Sequence, residues 1–180
     1  FPTRRSSDLT LKEVMDEFQL EDISNCKRLD DIVITSSDIN RPGLQLVGYL
    51  EYFGTDRIQI IGKVETTYLS AMTSEERYSR LDEFFQCGFP CMVVARGLDV
   101  FPEMIDVSRK YKIPVLRTDD ITSRFLSGVI RYLNVQLASR ITKHGVFVEV
   151  YGEGILILGE SGVGKSETAL ELVKRGHRQI

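Results

Sequence analysis

With 180 residues, 42% of them apolar, and a formal charge of −3, the chain can bury the core of one large or two small domains, which excludes a disordered protein. Acidic and basic residues are interspersed, so the basic footprint of a nucleic-acid or anionic-membrane binder is missing. No apolar run approaches the ~18 residues of a membrane span and no signal-peptide apolar region is present, so a soluble cytoplasmic protein is expected.

Residues 1–9, Phe1 to Leu9, lack a Met and read as adapter-derived leader, so they are set aside from fold reasoning. Thr10-x-x-Glu13 is a capping box, and Leu11, Val14, Met15 and Phe18 follow at helical spacing, which predicts an amphipathic helix over about 10–19. Ile32-Val33-Ile34 reads as a strand leading into a polar stretch, Thr35 to Gly43, with Pro42-Gly43 as turn chemistry. That stretch, Arg96-Gly97 and Arg117-Thr118-Asp119 each follow a strand; each is either an ordinary polar loop or a small-ligand site at a strand end. Further β-prone runs are Ile58 to Ile61, Cys91 to Ala95 and Pro114 to Leu116. Thr73-x-x-Glu76 caps a helix with Tyr78, Leu81 and Phe85 on one face, and Ile121, Phe125, Val129 and Leu133 mark another. Strands alternating with helices predict an α/β domain with a largely parallel sheet over about 10–135, and a second, P-loop domain over 136–180.

Cys26, Cys87 and Cys91 are odd in number, which suits reduced thiols better than a disulfide framework. Cys87-Gly-Phe-Pro-Cys91 offers only two ligands with no nearby His, so buried small side chains are expected there rather than a metal.

Gly145 to Tyr151 alternates, with Val146, Val148 and Val150 on one face and Phe147, Glu149 and Tyr151 on the other, which predicts a half-buried strand. Gly152-Glu153-Gly154 is the expected turn, returning Ile155 to Leu158 antiparallel. His144 then falls opposite Ser161 for a two-residue loop, or Gly162 for a three-residue one. There it can contact phosphate, orient a nucleophile or shuttle a proton; the alternative is a strand-end histidine bonded to backbone.

Gly159-Glu160-Ser161-Gly162-Val163-Gly164-Lys165-Ser166 is a complete G-x-x-x-x-G-K-[ST] loop between the apolar run Ile155 to Leu158 and a helix predicted over Glu167 to Arg175, ending at Gly176. Its glycines let backbone N–H groups turn inward as an anion nest at a helix N-terminus. Lys165 is placed to reach β- and γ-phosphate oxygens, and Ser166 to offer a hydroxyl to Mg²⁺. A glycine-rich turn without ligand leaves the Lys165-Ser166 pair unexplained. Glu160 and Glu167 belong to the loop and the helix face and are given no role. His177, just past Gly176, reads as a cap residue interacting with the helix dipole.

These residues, His144-Gly145-Val146 through Tyr151-Gly152, Gly159 to Ser166, Glu167 to Leu172 and Arg175-Gly176-His177-Arg178, resemble the HPr kinase/phosphorylase family of bacterial carbon catabolite control. Ser37 to Leu44 and Ile58 to Glu65 resemble its N-terminal domain more softly, so the likeness covers about 10–178. It implies a Mur-ligase-like substrate-domain fold followed by the hairpin, loop and helix of a truncated phosphoenolpyruvate-carboxykinase-like kinase domain. It also implies ATP- or pyrophosphate-dependent, Mg²⁺-requiring phosphorylation of a regulatory serine on the phosphocarrier HPr, and phosphorolysis of that phosphoserine by inorganic phosphate, in a homo-hexamer. His144 and Lys165 match the family's active-site positions and Ser166 its Mg²⁺-binding hydroxyl. The aspartate that activates the serine follows Arg178 in the family, where this chain reads Gln179-Ile180, so an inactive fragment with an uncovered P-loop strand is expected. A different P-loop small-molecule kinase and a non-catalytic nucleotide-binding regulatory module are the competing readings; a parallel strand before Ile155 would favour the former.

Overall fold

A computed structural model describes residues 9–26, 28–139 and 144–179, and the chain divides into two units, 1–138 and 139–180. Residues 1–8 of the expected leader lie outside the described residues, whereas Leu9 is buried in the first unit's core.

The first unit is an α/β sandwich. Helix α1 (Leu11–Glu17) starts at the expected capping box: Glu13 N–H donates to the Thr10 hydroxyl at 3.3 Å, and Thr10 N–H donates to the Glu13 carboxylate at 2.7 Å. Its sheet holds β1 (Glu21–Asp22), β2 (Ile39–Asn40), β3 (Ile58–Ile61), β4 (Met92–Val94) and β5 (Val115–Arg117) in the order β1-β5-β4-β3-β2. Strands β2 to β5 are parallel and β1 pairs antiparallel with β5, so the expected mixed α/β fold is present. The runs of β3 and β4 are buried throughout, as a sheet covered on both faces requires.

Alternation along the strands feeds two separate cores. Ile58, Ile60, Val93 and Leu116 pack with Leu11 and Val14 of α1 and with Phe125, Val129 and Leu133 of α6 (Thr122–Gln136). Ile61, Met92, Val94 and Val115 pack with Leu81, Phe84 and Phe85 of α4 (Ser74–Gln86) and Met104 and Val107 of α5 (Pro102–Tyr111). Two helices, α2 (Gly43–Leu46) and α3 (Lys63–Ser70), complete the unit. Thr73 caps α4 as expected, but Tyr78 is 37% exposed and Phe84 takes its place among the buried residues. Helices α4 and α5 are linked by Arg77, which donates to Glu103 at 3.1 Å and lies 4.4 Å from the Phe101 ring centroid. The hydrogen bond from Arg77 holds the Glu103 carboxyl down at about 2.

One strand expectation is corrected. Ile32-Val33-Ile34 forms only an isolated bridge, Val33 to Thr10, with Leu11 N–H donating to Ile32 O and Ile34 N–H to Leu9 O. The β3 edge is taken instead by Ile39–Asn40, from the stretch read as polar loop. Burial of Ile34 under α1 explains its apolarity; membership of a sheet depends on which segment reaches the free edge, which hydropathy does not encode.

The second unit is a three-stranded antiparallel sheet, β7-β6-β8, with helix α7 (Lys165–Lys174). Strand β6 (Gly145–Val150) is central, β7 (Glu153–Leu158) is its hairpin partner, and β8 (Arg178–Gln179) returns along its other edge. The hairpin is as expected, but its turn is not. Tyr151 and Gly152 both take positive φ, 51° and 85°, and form a tight two-residue turn. Glu153 and Gly154 therefore enter the ladder, Gly145 pairs with Leu158, and His144 stands at the level of Gly159 rather than Ser161 or Gly162. Placing the turn from glycines alone missed the left-handed tyrosine. The Phe147 ring packs over Gly154, where a Cβ would lie 2.7 Å from it and the ring would have to shift.

Candidate phosphate-binding site

Strand β7 ends at Leu158, the chain turns through residues 159–164, and α7 begins at Lys165, two residues before the expected start. Gly162 and Gly164 take φ of 85° and 90°, a region that L side chains rarely adopt, so the loop's turns into α7 depend on glycine. A side chain at Gly159 would meet Val163 at 2.7 Å, so the loop folds closely on itself. Lys165 Nζ donates to Gly159 O at 2.7 Å and also to Glu160 O, which ties the lysine across the loop mouth. Thr168 holds the first turn of α7, its hydroxyl donating to Gly164 O at 3.0 Å. At the far end Gly176 N–H donates to Val173 O and His177 N–H to Leu172 O, so the left-handed Gly176 and the His177 backbone close the helix. The His177 ring lies edge-on to Tyr151 at 4.9 Å.

A cavity of about 230 Å³ opens at this loop, lined by His144, Ser161, Gly162, Gly164, Lys165, Ser166 and Glu167. The hairpin thus brings His144 to the phosphate loop, although through a register two or three positions from those expected. Gly159, Glu160 and Val163 belong to the loop but do not line this cavity, and Val163 is 66% exposed. Glu167 lines it, although sequence reasoning had left it on the helix face. The available signal was positional: Glu167 is the third residue of a helix opened by Gly164, where a carboxylate can fold back toward the N-terminus. The oxygen donors at the mouth, the Ser166 hydroxyl and the Glu167 carboxylate, are hard ligands of the kind Mg²⁺ takes, so the donor set fits that ion.

In the first unit the loops after the strands are engaged internally. Asn40 donates to Gln59 Oε1 at 2.8 Å, Arg41 to Glu65 at 2.7 Å and Arg117 to Glu21 at 2.7 Å, while Gly97 N–H bonds to Thr118 O. Cys91 is buried, and burial pushes its thiol up; Cys26 and Cys87 are partly exposed, which corrects the view of Cys87 as buried. Among the described residues, no group of three His, Cys, Asp or Glu side chains could hold a metal ion. No helix among them is long and apolar enough to cross a membrane.

Comparison with known proteins divides the chain at nearly the same place. Residues 9–133 match the family model HPr Serine kinase N terminus, and residues 135–180 match HPr Serine kinase C-terminal domain. An HPr kinase/phosphorylase of Caldicellulosiruptor bescii is 46% identical over 168 residues, 93% of this chain and 54% of that protein. One from Clostridium tetani is 48% identical over 170 residues, 94% of this chain and 55% of that protein. The chain spans about half the length of the curated relatives it matches. A solved structure of the CBS and DRTGG domains of Clostridium perfringens pyrophosphatase covers 80% of this chain and 59% of that one, at TM-score 0.49 and 15% identity, too slight a likeness to bear on fold or function.

Proposed function

The chain belongs to the HPr serine kinase family, and from that premise we propose that it carries the N-terminal domain, residues 10–135, and the phosphate- and metal-binding segment, residues 136–180, of a bifunctional HPr kinase/phosphorylase. The substrates are ATP or pyrophosphate and a serine of the phosphocarrier HPr. The reverse reaction uses inorganic phosphate to take the phosphoryl group from phosphoserine, yielding pyrophosphate and the free hydroxyl. The first domain is read as Mur-ligase-like, the second as phosphoenolpyruvate-carboxykinase-like, and the assembly as a homo-hexamer.

The observation that carries this reading is the shared cavity of His144 with Lys165 and Ser166. Convergent N–H groups of the loop hold the β- and γ-phosphates at the head of α7. Lys165 leaves the Gly159 and Glu160 carbonyls and turns to phosphate oxygens, neutralising charge on the transferred group. Ser166 holds Mg²⁺, which when bound neutralises phosphate charge. His144 contacts the phosphate or carries a proton at the same mouth. Activation of the HPr serine needs a carboxylate base aimed at its hydroxyl, and we assign that role to a residue of the family's segment following Arg178. The antiparallel hairpin before the loop counts against an unrelated P-loop small-molecule kinase.

Equilibrium binding of fluorescent ATP, with phosphotransfer to HPr assayed in parallel, tests the proposal. Mg²⁺-dependent nucleotide binding is expected, and its absence refutes the phosphate-site reading.

A further inference from the structure

The phosphate cavity contains a charge that the scheme above does not use. Glu167 lines it beside His144, Lys165 and Ser166, and among the described residues lining it Glu167 is the one acidic side chain. Its carboxylate is folded back on the loop: a Cβ at Gly164 would lie 2.9 Å from Glu167 Oε2. Among the described residues no hydrogen bond or ion pair engages it, so its oxygens face the cavity. Lys165, the cation of the same cavity, is tied to two loop carbonyls. The cavity at the head of α7 therefore holds a carboxylate beside the loop that would receive a polyphosphate.

We propose that Glu167 is a specificity-determining residue that makes the loop select metal-bound over metal-free polyphosphate. This rests on the phosphate-site reading. A bare pyrophosphate entering the cavity meets the Glu167 carboxylate as a like charge. A divalent cation on the phosphates cancels two of their charges and weakens that repulsion, and Ser166, the neighbouring residue, lines the same cavity with a hydroxyl. The two ligand forms differ in charge at the point where Glu167 stands, so the residue acts on their ratio more than on either affinity. One unit charge at about 4 Å in a water-like medium corresponds to about a fivefold change in affinity.

The test is pyrophosphate binding by calorimetry on the full chain, once with Mg²⁺ and once with excess chelator, for the wild type, Glu167→Gln and Glu167→Asp. Glu167→Gln is expected to tighten binding of bare pyrophosphate and to reduce the preference for the Mg²⁺ form at least about fivefold, and Glu167→Asp to retain most of it. Because both affinities come from one protein sample, a weakened start of α7 in the Gln variant leaves the ratio interpretable. An unchanged ratio in Glu167→Gln overturns the inference while leaving the loop assignment standing. Equal loss of both forms also overturns it. A wild type that binds neither form overturns the phosphate-site reading itself.

Discussion

The two units divide stability and chemistry between them. The first buries two cores on opposite faces of a five-stranded sheet, and its charged side chains are tied in pairs such as Arg41–Glu65 and Arg77–Glu103. In the second, the buried apolar residues among those described are Val148 and Ala169, while Ile155, Leu156 and Leu158 of β7 and Leu170 of α7 are 44–55% exposed. The phosphate loop, with its cavity, belongs to this thinly packed unit. A loop that must leave N–H groups and a lysine available to a ligand cannot also bury them, so its scaffold has to come from packing elsewhere.

This contrast is open to direct attack, and the largest effect is expected in the first core. Phe84→Ala removes a fully buried ring and should destabilise the first unit by about 4 kcal/mol, read by urea titration with hydrogen exchange to separate the units. Arg77→Met leaves Glu103 buried without its partner and should cost about 3 kcal/mol.

The same pair sets a pH dependence. The folded-state Glu103 carboxyl is depressed from 4.5 to about 2, so its contribution is fully present above pH 4.5 and lost as pH falls toward 2. Glu103→Gln should flatten the stability profile across that window, measured by denaturant midpoints at successive pH values. In the second unit, Lys165→Ala should weaken nucleotide binding about a hundredfold while leaving the exchange protection of β4 unchanged. Removing the α4 cap with Thr73→Ala should cost about 1 kcal/mol. Leu156→Ala, in a strand that is largely uncovered, should cost less still, under about 1 kcal/mol; a loss as large as that of Phe84→Ala would break the comparison.

Features encoded within a few residues were legible in the sequence. The Thr10 and Thr73 capping boxes, the phosphate loop, α7 and its end at Gly176 each depend on contacts three to six positions apart, and each formed close to where it was expected. The buried strands Ile58–Ile61 and Met92–Val94 were readable for a related reason, since short runs rich in β-branched and apolar residues have few other places in an α/β layer. Errors began where a choice between distant segments was involved. Ile32–Ile34 has the composition of a strand, yet Ile39–Asn40 pairs with β3. The hairpin partners were identified but their register was not, because Tyr151 accepts a left-handed conformation that composition does not announce.

The sequence by itself therefore determined that this protein has a G-x-x-x-x-G-K-[ST] loop between a strand and a helix, preceded by an α/β domain, and pointed to its family. Tertiary structure alone decided which side chains share the phosphate cavity. It moved His144 to the level of Gly159 yet kept it in the cavity, and it brought in Glu167. The physical reason is that the loop's form follows from local backbone freedom at its glycines, whereas the cavity's walls depend on hairpin register and helix phase, where a shift of one residue turns a side chain to the opposite face.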